Sequence, residues 1–335
     1  MSKTSKFKKL TLILLPVSVF FLIGIFLWIK TPQRVTDQIT IPENFDLLSY
    51  KEKLEIFTKQ ADNDPGAAWQ FLKGKYIQNQ QTVDDVHSFA HIVGNSAYKK
   101  LGIKGLVICD EAFSFGCFHG ITENMLLTQG RDIIIEIEKT CTDTFSGRID
   151  YLSGCIHGTG HGLLGSYNFD IESALKDCEK FSQNNQNYCY DGVFMEYSEH
   201  PEIYSGKQNE FIKICSDSSK SYSQNCARYV FAVFGYLTNW STSEIAELCG
   251  QISYKSVSDE CFVGLGYFAV FNSKADFSKI LEICNQSPTD VGQSFCIIGS
   301  VRQVISQKYL DYINLSKKLC DKAKTNFEKC QTEII

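Results

Sequence analysis

Cys155-Ile-His157-Gly158-Thr-Gly160-His161 is the stretch from which the rest of the chain can be read. Its two histidines are four residues apart, so on a helix they share one face, about 6 Å apart at Cβ. The phrase recurs as Cys117-Phe-His119-Gly120-Ile-Thr-Glu123 and, more weakly, as Cys189-Tyr-Asp191-Gly192-Val-Phe-Met195. An earlier copy, Asp85-Val-His87-Ser-Phe-Ala-His91, has no cysteine and no glycine. Four successive units therefore put His or Asp at one equivalent position, and three of them put His or Glu one turn later.

The cysteines set the period. The fourteen fall into consecutive pairs: Cys109 and Cys117, Cys141 and Cys155, Cys178 and Cys189, Cys215 and Cys226, Cys249 and Cys261, Cys284 and Cys296, Cys320 and Cys330. The second members follow one another at 38, 34, 37, 35, 35 and 34 residues. A period near 35 is the length of one helical hairpin in an α-solenoid. The first cysteine ends a helix, as in Ser173-Ala-Leu-Lys-Asp-Cys178 and Glu244-Ile-Ala-Glu-Leu-Cys249. A polar loop such as Gln183 to Asn187 follows, and the second cysteine opens the next helix. A disulfide within each pair would staple each hairpin, worth about 3 kcal/mol for a loop of about 12 residues.

Helical periodicity runs through almost all of the chain from residue 46. Leu47, Leu48, Leu54 and Phe57 mark one amphipathic helix, and Pro65 starts another. Ser241-Thr-Ser-Glu244 reads as a capping box. No convincing β alternation is present. The stretch Cys109 to Cys330 resembles the cysteine-rich, tetratricopeptide-like helical-hairpin repeat proteins of bacterial secreted type, in period and in one disulfide per hairpin. That resemblance is architectural. It implies a binding scaffold, and it supplies no functional residues.

Helix geometry places the polar positions. At about 100° per residue, the residue two after the stapling cysteine points about 200° away from it. His119, His157 and Asp191 should therefore face out of the hairpin, with Glu123 and His161 about 40° further round. The glycine three after the cysteine, as at Gly120, Gly158, Gly192, Gly264 and Gly299, should turn back toward the staple and allow close helix contact. Equivalent helices of stacked hairpins lie roughly 8–10 Å apart. Matching side chains can then reach one point between them. At the His157 position the later units carry Arg228, Val263 and Ile298, and at the His161 position Ala232, Tyr267 and Arg302. The fold does not need histidine there.

Five of the six histidines lie between residues 87 and 161, in register. The sequence reading makes His87, His91, His119, Glu123, His157, His161 and Asp191 metal ligands for one or two divalent transition ions. Iron, zinc, copper or manganese fit this mixture of imidazole and carboxylate. Glu123 and Asp191 are also the candidate general bases, and Glu196 is a further oxygen donor. His200, before Pro201, reads as an inert loop residue. The competing account is a hydrogen-bonded polar core in a non-catalytic scaffold for protein or glycan. No Walker loop, His-Glu-x-x-His or Gly-x-Ser-x-Gly is present.

Composition bounds the rest. Of 335 residues, 44% are hydrophobic, enough for a sizeable core, and the net charge of −5 with no basic stripe beyond the first ten residues argues against nucleic acid. Lys3, Lys6, Lys8 and Lys9 precede Leu10 to Ile29, 20 residues without a charge. Such a run spans roughly 30 Å as a helix, the thickness of a bilayer core. Residues 1–9 read as a cytoplasmic basic tail, 10–29 as an uncleaved transmembrane anchor and 30–45 as a linker. Residues 46–335 read as an extracytoplasmic helical-repeat domain with its metal site in 83–196. Fourteen cysteines fit that oxidising side of the membrane. The expectation is thus an all-α, disulfide-stapled solenoid behind one membrane helix, bearing a metal-dependent enzyme centre.

Overall fold

The structure, a computed structural model, describes residues 41–77, 83–307 and 309–334. The expected basic tail and transmembrane anchor and most of the expected linker lie outside the described residues. Among the described residues no helix is long and apolar enough to cross a membrane. Residues 41–335 form one compact unit.

The described residues are all-helical. In order the helices are α1 (Tyr50–Asn63), α2 (Pro65–Tyr76), α3 (Val83–Leu101), α4 (Gly116–Gln129), α5 (Ile134–Thr144) and α6 (Ile149–Ser166). Then come α7 (Ile171–Cys178), α8 (Gln183–Ser198), α9 (Pro201–Tyr204), α10 (Gln208–Ser216), α11 (Ser223–Leu237) and α12 (Thr242–Gln251). The chain ends with α13 (Lys255–Ser273), α14 (Phe277–Cys284), α15 (Asp290–Ser306), α16 (Tyr312–Cys320) and α17 (Phe327–Thr332).

Local chemistry starts several of these helices. Ser49 caps α1, with Glu52 returning a bond to the Ser49 amide at 3.0 Å. Asp64 caps α2, accepting from the Ala67 amide at 2.9 Å, and Pro65 occupies the first helical position. The expected capping box at Ser241 does not form, because that hydroxyl meets Ser243 instead. Leu47 falls in a 3-10 turn before α1, and Phe45 of that turn is buried with Phe57 and Phe89. This aromatic cluster covers the apolar face of α3, against which α1 and α2 pack.

All seven disulfides join the consecutive pairs, with Cα–Cα distances of 5.1–6.0 Å. Their placement differs from expectation in one respect. Cys155, Cys189 and Cys261 do not open their helices; they sit one to two turns inside α6, α8 and α13. The sulfurs must meet where two helices cross, and that crossing lies beyond the helix end. Gln183 to Asn187 are accordingly the first turn of α8 and not a loop. Cys109 differs too, since it follows a 3-10 helix, Gly102–Ile108, and not an α-helix.

The long helices α3, α4, α6, α8, α11, α13 and α15 form a series, each packed on the next. The shorter stapled helices pack on the long helix that follows them in the chain. Glycines set the spacing of the long helices. A Cβ on Gly120 would lie 2.2 Å from the His91 carbonyl oxygen, and one on Gly192 2.0 Å from that of His157. These glycines therefore face the preceding long helix, not the stapled partner as expected. The series also curls. Tyr76, Val86, Phe113 and Ser114 share one cavity with Phe271, Gln303, Gln307 and Tyr309. Residues from its two ends thus face each other.

Candidate metal centre

The close approach of α3, α4 and α6 brings five imidazoles together, and α8 adds the carboxylates of Asp191 and Glu196. Two trios of nitrogens form, His87 with His91 and His119, and His119 with His157 and His161, each within 4.8 Å. His119 belongs to both. The His87 and His91 Nε2 atoms are 3.1 Å apart, and His91 Nε2 is 3.2 Å from His119 Nδ1. On the other side His157 Nε2 and His161 Nε2 are 3.0 Å apart. A tetrahedral zinc ion with Zn–N near 2.0–2.1 Å holds its ligands about 3.3–3.4 Å apart, so these spacings are near the edge of a coordination polyhedron.

The outward nitrogens are held from behind. His87 Nδ1–H donates to the Phe113 carbonyl at 2.8 Å. That carbonyl is delivered by three successive left-handed residues, Phe113, Ser114 and Phe115, with φ of 55°, 53° and 63°. Each costs roughly 1–2 kcal/mol for a side-chain-bearing residue, strain that the surrounding packing has to hold. His161 Nδ1 donates to Glu196 at 2.7 Å. His157 Nδ1 lies 3.2 Å from Asp191 Oδ2. Asp191 is itself gripped, accepting from Tyr229 at 3.1 Å and from Arg228 at 3.4 Å. Carboxylates behind imidazoles fix ring orientation and tautomer in metal sites.

Burial favours the neutral form of three of the rings. Burial, aided by neighbouring His91, pushes His87 down to about 3. Burial and the four surrounding histidines drive His119 well below the usual range. Burial also lowers His161, against the pull of Glu196. Burial pushes the Asp191 carboxyl up, but His157 and Arg228 outweigh it and bring it to about 2. Glu196 falls to about 2 because His161 and His200 outweigh the same burial effect. Neutral imidazoles backed by ionised carboxylates are the protonation states that metal binding requires.

These partners determine where the lone pairs point. Glu196 sits against Nδ1 of His161 and Asp191 against Nδ1 of His157, so the two rings turn their Nε2 atoms toward each other. Two ring nitrogens 3.0 Å apart share either a proton or a metal ion. His119 adds a second sign. Its Nε2 is buried and meets no hydrogen-bond partner among the described residues.

The sequence-derived ligands separate into two groups. The five histidines converge, whereas Glu123 and Asp191 join neither trio. Glu123 stands 3.8 Å from His91 Nδ1 with its side chain 45% exposed, and Asp191 stands behind His157. His200 is not inert: Nε2 meets Glu196 at 3.1 Å and Nδ1 meets Glu202 at 2.8 Å. Arg228 and Tyr229 were not foreseen, although a cation at the repeat position after Asp191 was a usable signal. Nothing in the sequence pattern pointed to the Phe113 carbonyl. No protein family, curated protein or solved structure matches this chain, including any of tetratricopeptide type. The side-chain geometry alone has to carry an assignment.

Proposed function

We propose that this chain is a membrane-anchored, extracytoplasmic metal-binding protein whose hairpins stack as an α-solenoid, and that its histidine centre serves a metal-dependent enzyme. The observation that carries the metal reading is the convergence of five imidazoles into two trios, with the Nε2 atoms of His157 and His161 3.0 Å apart and both their Nδ1 atoms against carboxylates. A proton would satisfy one such pair; three convergent nitrogens in each trio fit a metal better. Imidazole ligands suit zinc, copper and iron, and nearby carboxylates extend the range to manganese. When bound, such an ion supplies a Lewis acid for water or, if redox-active, for dioxygen. Seven disulfides support an oxidising compartment.

The catalytic reading rests on the contrast between the trios. His157 and His161 side chains are 11% and 5% exposed, while His91 is 26% exposed with Glu123 beside it at 45%. A catalytic ion keeps one coordination position for water or substrate, and the more exposed trio is the one that water and substrate can reach. Glu123 Oε2 is the group positioned to accept a proton at the open side. The test is metal content of the full-length chain, purified in detergent from an oxidising host, by mass spectrometry. Stoichiometric metal that is lost in His157→Ala/His161→Ala supports the centre. Substoichiometric metal unchanged by those substitutions returns the cluster to a hydrogen-bonded core and the chain to a stapled scaffold.

A further inference from the structure

We infer that His200 is a positioning residue for the metal centre: it holds Glu196 in place, and Glu196 in turn fixes the ring of His161. This rests on the metal reading above and adds a residue that touches none of the five converging rings.

The contacts run in one chain from the interior to the surface. His161 Nδ1 meets Glu196 Oε2 at 2.7 Å, Glu196 Oε1 meets His200 Nε2 at 3.1 Å, and His200 Nδ1 meets Glu202 Oε1 at 2.8 Å. Side-chain exposure rises along it, from 5% at His161 through 23% at Glu196 and 31% at His200 to 68% at Glu202. Glu196 gives one oxygen to the centre and the other to His200. Its carboxylate makes no further hydrogen bond or ion pair among the described residues.

The other acceptors behind the rings show why that second contact matters. The Phe113 carbonyl behind His87 belongs to the backbone and has no side-chain rotor. Asp191, behind His157, is held by Tyr229 and Arg228. Glu196 has a longer side chain and sits in the last turn of α8. A free carboxylate there would spread over several rotamers and meet His161 only part of the time. His200 is the side chain that confines it.

Local sequence puts His200 where it can do this. Pro201 cannot continue α8, and it starts α9 at the first helical position. It also keeps the preceding residue out of the helical region, and His200 has φ −113° and ψ 71°. Buried Tyr204 closes the turn, its hydroxyl donating to the Ser198 carbonyl at 2.8 Å. The Phe169 ring packs against His200 with centroids 4.3 Å apart. The His200 side chain makes no capping bond to α9, so its removal leaves the turn's own fastenings in place.

Zinc affinity of the full-length chain in detergent is measured by competition with a chromophoric chelator, and cobalt(II) in place of zinc reads the ligand field through its visible bands. His200→Ala should weaken zinc binding about tenfold, the lower end for groups behind metal ligands, and shift the cobalt bands. His200→Gln keeps an N–H where Nε2 stood and should restore both. His200→Asn keeps an N–H only on the Glu202 side and should behave as His200→Ala. Thermal melts of the metal-free chains check the fold, and if His200→Ala does not fold, the contrast of Gln with Asn carries the same reading. Affinity and bands unchanged in His200→Ala, or His200→Gln no better than His200→Asn, would overturn the positioning role and leave the metal centre standing. No zinc or cobalt bound by the unsubstituted chain would overturn both.

Discussion

Asp191 shows how much one residue's role depends on its neighbours. Position in the repeat makes it equivalent to His119 and His157, and it reads as a ligand. In the fold, Tyr229 and Arg228 hold it against His157 Nδ1. Asp191→Asn should therefore keep the metal but weaken its affinity about 10–100-fold, the usual cost of losing an outer carboxylate. Chelator competition measures this, and an unchanged affinity would contradict the role. Acid should act on the metal-free protein through the same residues. His87 drops from its ordinary 6.5 to about 3, and His119 and His161 are lowered as well. The unfolded chain then binds more protons below pH about 6.5, so folding stability is full above that pH and falls toward pH 3. Asp191 and Glu196, depressed to about 2, add loss in the same direction as pH drops below the ordinary carboxylate range. Glu199, pushed up to about 7 by burial and by Glu196, works the opposite way in this window. The comparison is therefore made in a Glu199→Gln background. Urea unfolding in chelator should give a lower midpoint at pH 5.0 than at 7.5, and equal midpoints would show that the rings are not buried neutral. The five histidines were legible because their spacing repeats. His200 was not, because its partners Glu196 and Glu202 matter only once the α8–α9 turn forms.

Contacts between elements depend on a few glycines. Gly120 and Gly192 let α4 and α8 approach the backbones of α3 and α6 so closely that a methyl group would meet a carbonyl oxygen at 2.2 or 2.0 Å. A backbone oxygen cannot rotate away as a side chain can. Gly120→Ala should cost about 1–3 kcal/mol of stability from overpacking, and should also separate His91 from His119 and weaken metal binding. Gly74, in α2, has nothing within 4 Å of its missing Cβ. Gly74→Ala should therefore be neutral, or stabilising by up to about 1 kcal/mol, through helix propensity. Thermal melts of the two variants compare them directly, and similar effects would remove the packing argument. The recurring glycine was visible in the sequence, and so was its purpose of close approach. Its direction was misjudged, because angular bookkeeping from one cysteine ignores the second helix packed on the same flank.

At the scale of the whole molecule the seven disulfides recur along the whole series of hairpins. Each staple closes a short loop, 8 to 14 residues apart in sequence. Cys178→Ala/Cys189→Ala should cost about 3 kcal/mol by the loop-closure account, and lower the guanidinium midpoint while native buffer retains the helices. An unchanged midpoint would show that hairpin packing alone holds α7 to α8. The sequence by itself determined the helical class, the period near 35 and the pairing of every cysteine, because these are local and repeat along one dimension. It also determined that histidines recur on one face of successive helices. Only the tertiary structure decided that the five rings converge into two trios sharing His119, that the carboxylates stand behind them, and that Tyr76 and Phe113 meet Gln303 and Tyr309 around one cavity. These approaches are set by side chains far apart in the sequence packing against each other, and no residue spacing records them.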